Sequence, residues 1–118
     1  MREYGLVERF CAYTKALSEP TRMKMVKILG SHEPETLKVG DIAEILHISQ
    51  PAATKHLRIM ENVGAFTRKR VGKSVYYSLN DEAIEDFMEL FKYAYEHAHT
   101  PCEYGYDCDS CPHADTCM

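Results

Sequence analysis

Ser49-Gln50-Pro51-Ala52-Ala53-Thr54-Lys55-His56-Leu57-Arg58-Ile59-Met60-Glu61-Asn62-Val63-Gly64 reads as a capped helix with a polar, basic outer face. Ser49 offers an N-cap oxygen, Pro51 sits in the first turn where a missing N–H costs nothing, and Gly64 suits the left-handed C′ position. Ala53, Leu57, Met60 and Val63 recur at three- and four-residue steps and form the buried stripe. The other face carries Gln50, Ala52, Thr54, Lys55 and Arg58. A glutamine amide at a helix tip can read an adenine edge, and Lys55 and Arg58 can neutralise phosphates. Simple solvation is the alternative for such a face.

The neighbours on either side decide between the two. Upstream, Val39, Ile42, Ala43, Ile45 and Leu46 make a helix of about two turns, and His47-Ile48-Ser49 turns the chain into the next one. Short helix, three-residue turn and longer helix with a polar tip is the order of a helix-turn-helix. Downstream, residues 65 to 79 contain two β-rich runs around Gly72-Lys73, a two-residue type II′ hairpin loop with glycine first. Arg68, Arg70 and Lys73 on this hairpin are available to phosphates, as a wing beside the central helix. A solvated hairpin whose cations protect an edge strand is the competing explanation, and its occurrence beside a helix-turn-helix weighs against it.

Further out, Leu6, Val7, Phe10, Cys11, Thr14 and Leu17 place a first amphipathic helix over residues 5 to 17, with Cys11 as a small buried hydrophobe. Ser18 caps a second helix with Pro20 in its first turn, Met23, Val26, Ile28 and Leu29 pack inward, and Gly30 ends it. Residues 31 to 36 are a loop with His32 at the surface. Asn80-Asp81 caps a last long helix reaching about His99, whose inward residues include Ile84, Phe87, Leu90, Phe91 and Tyr95. The fold class expected is mainly α with a small β-hairpin (α+β), a winged helix-turn-helix over residues 1–100. Its first and last helices build a homodimer interface.

At 118 residues the chain is one small domain, and a second copy is a natural way to cover what it cannot bury alone. Met1-Arg2-Glu3 begins no apolar targeting segment and no apolar run is long enough to span a membrane, so a cytoplasmic location without membrane contact is expected. The net charge of −4 argues against indiscriminate polyanion binding, but it is unevenly spread. Residues 49 to 79 hold six Lys or Arg against one acid, Glu61, whereas residues 81 to 118 hold ten acids against one base, Lys92. A compact basic stretch beside an acidic tail points to a local polyanion contact. No nucleophile–base pair or nucleotide loop suggests an enzyme.

Residues 16 to 80 resemble the winged-helix repressors of the ArsR/SmtB family. The resemblance is carried by Ala16-Leu17-Ser18-Glu19-Pro20-Thr21-Arg22, Val39-Gly40-Asp41-Ile42-Ala43, Ser49-Gln50-Pro51 with His56-Leu57, and Val71-Gly72-Lys73 with Tyr76-Tyr77-Ser78-Leu79. It implies a homodimeric repressor that leaves double-stranded operator DNA when an effector binds. It also implies that Gln50, Thr54, Lys55 and His56 approach bases or phosphates, although helical spacing puts His56 at the edge of the buried face. With Ser49 at the helix tip, Arg58, and Arg68, Arg70 and Lys73 on the wing, these form the candidate DNA-contacting set. The family's metal sites do not carry over. Its arsenic and cadmium sensors have cysteines in the short helix before the turn, where this chain has Leu37-Lys38-Val39-Gly40-Asp41. Its zinc sensors open the last helix with Asp-x-His and close it with His-x2-Glu. Here Asp81 is followed by Glu82 and Ala83, and Thr100 lies three residues after His97.

Residues 101–118 form a separate cysteine-rich tail in which Cys102, Cys108, Cys111 and Cys117 are spaced C-x5-C-x2-C-x5-C. Four thiolates within so short and polar a segment need a metal to organise them. A 4Fe-4S cluster accepts the long outer gaps, and Cys111-Pro112 matches ferredoxin cysteine–proline steps. Zinc, which favours two short knuckles, or another thiophilic metal is the alternative, as is thiol chemistry with arsenite, soft metals or persulfide. His113 is a surface or supporting residue beside such a site. The function expected is a transcriptional regulator controlled by this tail, the rival being a winged-helix protein-interaction module that carries a redox cluster.

Overall fold

The computed structural model describes residues 6–107 together with 109, 110 and 112. Five helices, α1 (Leu6–Leu17), α2 (Pro20–Gly30), α3 (Val39–Leu46), α4 (Gln50–Asn62) and α5 (Asp81–Glu96), accompany three strands, β1 (Leu37–Lys38), β2 (Phe66–Val71) and β3 (Ser74–Leu79). The strands form an antiparallel sheet in the order β1-β3-β2, an α+β winged helix-turn-helix. The hairpin register pairs Phe66 with Leu79 and Val71 with Ser74 across the two-residue loop. Gly72 has φ +63° and Lys73 is not in the positive-φ region, the signs a type II′ turn requires. Strand β1 is an addition to the expected hairpin: Leu37 and Lys38 pair with Tyr77 and Tyr76. Two residues carry no period, which is why the sequence shows no strand there.

Helix α4 is built as its caps dictate. The Ser49 hydroxyl accepts the Ala52 N–H at 3.2 Å, and Pro51 lies in the first turn. At the other end Gly64, φ +85°, donates its N–H to Glu61 O at 2.9 Å while Ala65 donates to Met60 O at 3.0 Å, the paired bonds of a Schellman stop. Ala53, Leu57 and Met60 are completely buried, and they meet Met25 of α2, Ile42 of α3 and Phe66 of β2 in one core. No polar side chain is buried among the described residues.

Several expected details change. Helix α2 is capped by Glu19, whose carboxylate accepts the Arg22 N–H at 3.1 Å, and Ser18 instead donates its hydroxyl to Lys15 O at the end of α1. Met25 rather than Met23 packs into the core, and Met23 is 48% exposed. Cys11 is exposed rather than buried, because α1 turns Ala16 and Tyr13 toward the core and Cys11 away from it. Helix α5 stops at Glu96, where His97 N–H returns to Tyr93 O, and has no buried residue: Phe91 and Tyr95 are 56% and 65% exposed.

The turn between α3 and α4 depends on His47, which has φ 56° in the left-handed region. There its N–H reaches Glu44 O and that of Ile48 reaches Ala43 O, so the carbonyls left open at the end of α3 are satisfied. A β-branched residue in that conformation is strained by about 1–2 kcal/mol. His47→Val is therefore expected to lower stability by about that amount in urea unfolding, and His47→Gly to stay within about 1 kcal/mol of the parent. Equal losses in both variants would mean that the imidazole, rather than the backbone conformation, sets the turn.

Candidate nucleic-acid interface

Helices α3 and α4 and the intervening 47–49 turn place Gln50 at the exposed tip of α4. Gly40 leaves room beside Gln50: a Cβ there would lie 3.3 Å from Gln50 Nε2, a tight contact that a small shift of the amide would relieve. Behind the tip, Lys55 and Arg58 are exposed and follow each other at helical spacing, and neither makes a hydrogen bond or ion pair within the described residues. Thr54 is half-buried beside them. Ser49 is committed to its capping bond. His56 turns away from this stripe toward α2: its Nδ1 lies 3.1 Å from Arg22 Nη1 and 3.8 Å from Glu19 Oε2.

The wing sorts its cations by strand alternation. Phe66 is buried, so Arg68 and Arg70, two and four residues on, lie on the same side of the sheet as the helices. Arg68 Nε reaches Glu61 of α4 at 3.4 Å, which neutralises the one acid in this basic stretch. Exposed as it is, that pair contributes about 0–1 kcal/mol to stability, but it aligns the wing with the helix. Arg70 donates from Nε to Gly72 O at 3.1 Å and so braces the loop that carries the exposed Lys73. Lys69, on the opposite side, pairs with Glu35 at 3.1 Å and takes no part in this surface.

Gln50, Lys55 and Arg58 are thus exposed on α4, and Arg68, Arg70 and Lys73 on the wing that Arg68 ties to it. Their chemistry suits a rod-like polyanion: an amide for a base edge at the helix tip and cations for phosphates. Two supporting residues, Glu19 and Arg22, had no sequence signal for their contact with His56, which lies 34 residues beyond Arg22. Desolvation raises the Glu19 carboxyl, but the hydrogen bonds it accepts from the Arg22 N–H and Thr21, with the charge of nearby His56 when that ring is protonated, lower the group from its ordinary value.

A second feature lies across α1 and α5. Phe10 stacks on Phe87 and Phe91 with ring centroids 5.2 and 5.6 Å apart, and Tyr13 packs on Phe87 at 5.1 Å. Beside them runs an apolar groove of about 350 Å³ lined by Phe10, Thr14, Phe87, Met88 and Phe91. Tyr13 is pushed above the usual phenol range by burial and by Asp86.

Of the four tail cysteines, Cys102 is half-buried, with its Sγ accepting the Tyr104 N–H at 3.3 Å. Cys108, Cys111 and Cys117, and His113, lie outside the described residues. Among the described residues no three His, Cys, Asp or Glu side chains come together as a metal site. Neither of the family's usual metal sites has its ligands in this chain: α3 carries no cysteine, and α5 opens on Asp81-Glu82-Ala83 rather than Asp-x-His. No helix among the described residues is long and apolar enough to cross a membrane.

Residues 19–64, from the cap of α2 to the end of α4, match the family described as bacterial regulatory protein, arsR family. The chain is 44% identical over 75 residues to a cadmium resistance transcriptional regulatory protein CadC homolog of Staphylococcus aureus, covering 64% of this chain and 60% of that protein. It is 38% identical over 72 residues to the transcriptional repressor SdpR of Bacillus subtilis, covering 61% of this chain and 77% of that protein. In fold it is similar to the homodimeric winged helix-turn-helix DNA-binding domain of a possible ArsR-family regulator from Mycobacterium bovis. That likeness has a TM-score of 0.62 at 20% identity, covering 87% of this chain and 98% of the other. The family match on the helix-turn-helix itself and the identity to relatives named as transcriptional regulators agree: this chain belongs to the arsR family of bacterial regulatory proteins.

Proposed function

We propose that this protein is a DNA-binding transcriptional repressor that acts as a homodimer in the cytoplasm. The observation that supports the reading is the Arg68–Glu61 pair, which ties the wing with its exposed Arg70 and Lys73 to α4, the helix that exposes Gln50, Lys55 and Arg58. Ser49 and Thr54 belong to the same helix face, Ser49 by capping the tip that enters the groove. Dimerisation is supported by the exposed aromatic groove between α1 and α5 and by the homodimeric state of the M. bovis domain. In such a dimer the two α4 helices enter successive major grooves roughly 34 Å apart.

The effector site of this reading is the tail, residues 101–118, with Cys102, Cys108, Cys111 and Cys117 as ligands. The donor set suits a thiophilic group, a 4Fe-4S cluster ahead of zinc or another soft metal, and the name of the S. aureus relative links it to cadmium resistance. A bound group would supply a ligand- or redox-dependent free-energy difference between two tail states. The chain's own part is to pass that difference on: Cys102 lies six residues beyond the end of α5, the helix that lines the dimer groove.

Selection from a random duplex pool is expected to recover a palindromic site. Lys55→Ala and Arg58→Ala should each reduce the slope of log affinity against log salt by about one; an unchanged slope in both would remove α4 from the phosphate contacts. Phe91→Glu places a charge in the α1–α5 groove and is expected to shift sedimentation from dimer to monomer, with loss of palindrome binding. A dimer of unaltered strength would move the interface elsewhere. Anaerobic reconstitution with iron and sulfide should give a coloured protein with altered mobility-shift behaviour, both lost in Cys108→Ser. A colourless product whose DNA binding ignores Cys108→Ser would sink the cluster assignment.

A further inference from the structure

Arg22 lies outside the cationic surface, yet it binds three helices together. Its backbone N–H goes to Glu19 Oε2 at 3.1 Å, its Nε to the carbonyl of Ala16 near the end of α1 at 2.5 Å, and its Nη1 lies 3.1 Å from His56 Nδ1 on α4. A guanidinium has only donors, so at that distance His56 Nδ1 must be the acceptor. An accepting Nδ1 leaves the ring neutral with its proton on Nε2. The rival partner for Nδ1, Glu19 Oε2, is 3.8 Å away, beyond hydrogen-bond range, so Arg22 rather than Glu19 decides the tautomer.

We propose that Arg22 is a positioning residue for DNA recognition: it fixes His56 as the neutral Nε2–H tautomer and locks α4 against the end of α1. Three features support the role. His56 is on the edge of α4 between the buried stripe and the cationic face, with its side chain 21% exposed, so its orientation is coupled to both. The Arg22 fork spans Ala16 O and His56 Nδ1 at once, which a lysine ammonium on a flexible stem does not reproduce. Finally, Ala16 O is one of the last carbonyls of α1, left open by the helix end, so the same side chain joins the α1–α5 layer to the DNA-facing helix. The proposal rests on the DNA-binding reading above for its functional half, whereas the tautomer concerns the free protein alone.

Nitrogen-15 spectra of histidine in the full-length protein at neutral pH test the first half. His56 is expected as the Nε2–H tautomer in the parent and to lose that preference in Arg22→Met and Arg22→Lys; an Nδ1–H tautomer or a charged ring in the parent would overturn the proposal. The second half is read by comparing the duplex recovered by selection with an unrelated duplex of equal length. Arg22→Lys, which keeps the charge, should weaken binding to the selected duplex at least about fivefold, the low end for one mis-set base contact, and leave the unrelated duplex within about twofold. His56→Gln, whose amide oxygen can accept from Arg22, should retain discrimination, and His56→Leu should lose it. Parental discrimination in Arg22→Lys or His56→Leu would overturn the positioning role. If the parent selects no duplex, the DNA-binding reading fails with this functional half, and the tautomer result still decides the Arg22–His56 contact.

Discussion

Ala53, Leu57 and Met60 are inaccessible to solvent, and the other elements of the winged helix are placed by what they present to that stripe. Burying Leu57 or Met60 fully contributes about 1.5–3 kcal/mol, more than an exposed ion pair on this surface. Met25, Ile42 and Phe66 come from α2, α3 and β2, so the stripe fixes the turn before α4 and the strand after it together. With the inner face of α4 committed in this way, the outer face has one orientation, and the positions of Gln50, Lys55 and Arg58 follow from the core.

This is why the centre of the molecule was legible in the sequence. Ser49, Pro51, Gly64 and the three- and four-residue spacing each act through local geometry, and local geometry is what a linear pattern records. The Gly72-Lys73 loop belongs to the same class. Where a contact spans distant segments the pattern has nothing to offer. Strand β1 exists because Leu37 and Lys38 meet Tyr77 and Tyr76, some forty positions on. Glu19 displaces Ser18 as the cap of α2 because Ser18 closes the end of α1 on Lys15, and Met25 rather than Met23 is in the core because α2 packs against distant elements.

Charge shows the same division. The sequence registers six cations in one stretch, but only the fold separates them by role. Lys69 is held by Glu35 on the far side of the sheet, Arg68 aligns the wing through Glu61, and Arg70 braces the loop, leaving Lys55, Arg58 and Lys73 as the cations without such internal duties among the described residues. The acids of the last third of the chain begin where the wing ends, so repulsion keeps that part of the molecule off whatever the cationic surface binds.

The unequal anchoring of α4 and α5 bears on how regulation can work in this fold. Both helices are capped at each end, but α4 has three fully buried residues, whereas α5 has none and is held by partly buried Ile84 against the core and by Phe87 and Phe91 against Phe10 and Tyr13 of α1. The cost of shifting an element scales with the apolar area it must uncover, so α5 and its α1 contact move before α4 does. On the regulatory proposal above, a tail whose first cysteine follows α5 by six residues would act on the less firmly anchored of these two helices. Such a shift reaches the DNA-facing helix only where the α1 layer touches α4, and Arg22, bonded to both Ala16 and His56, is one such point.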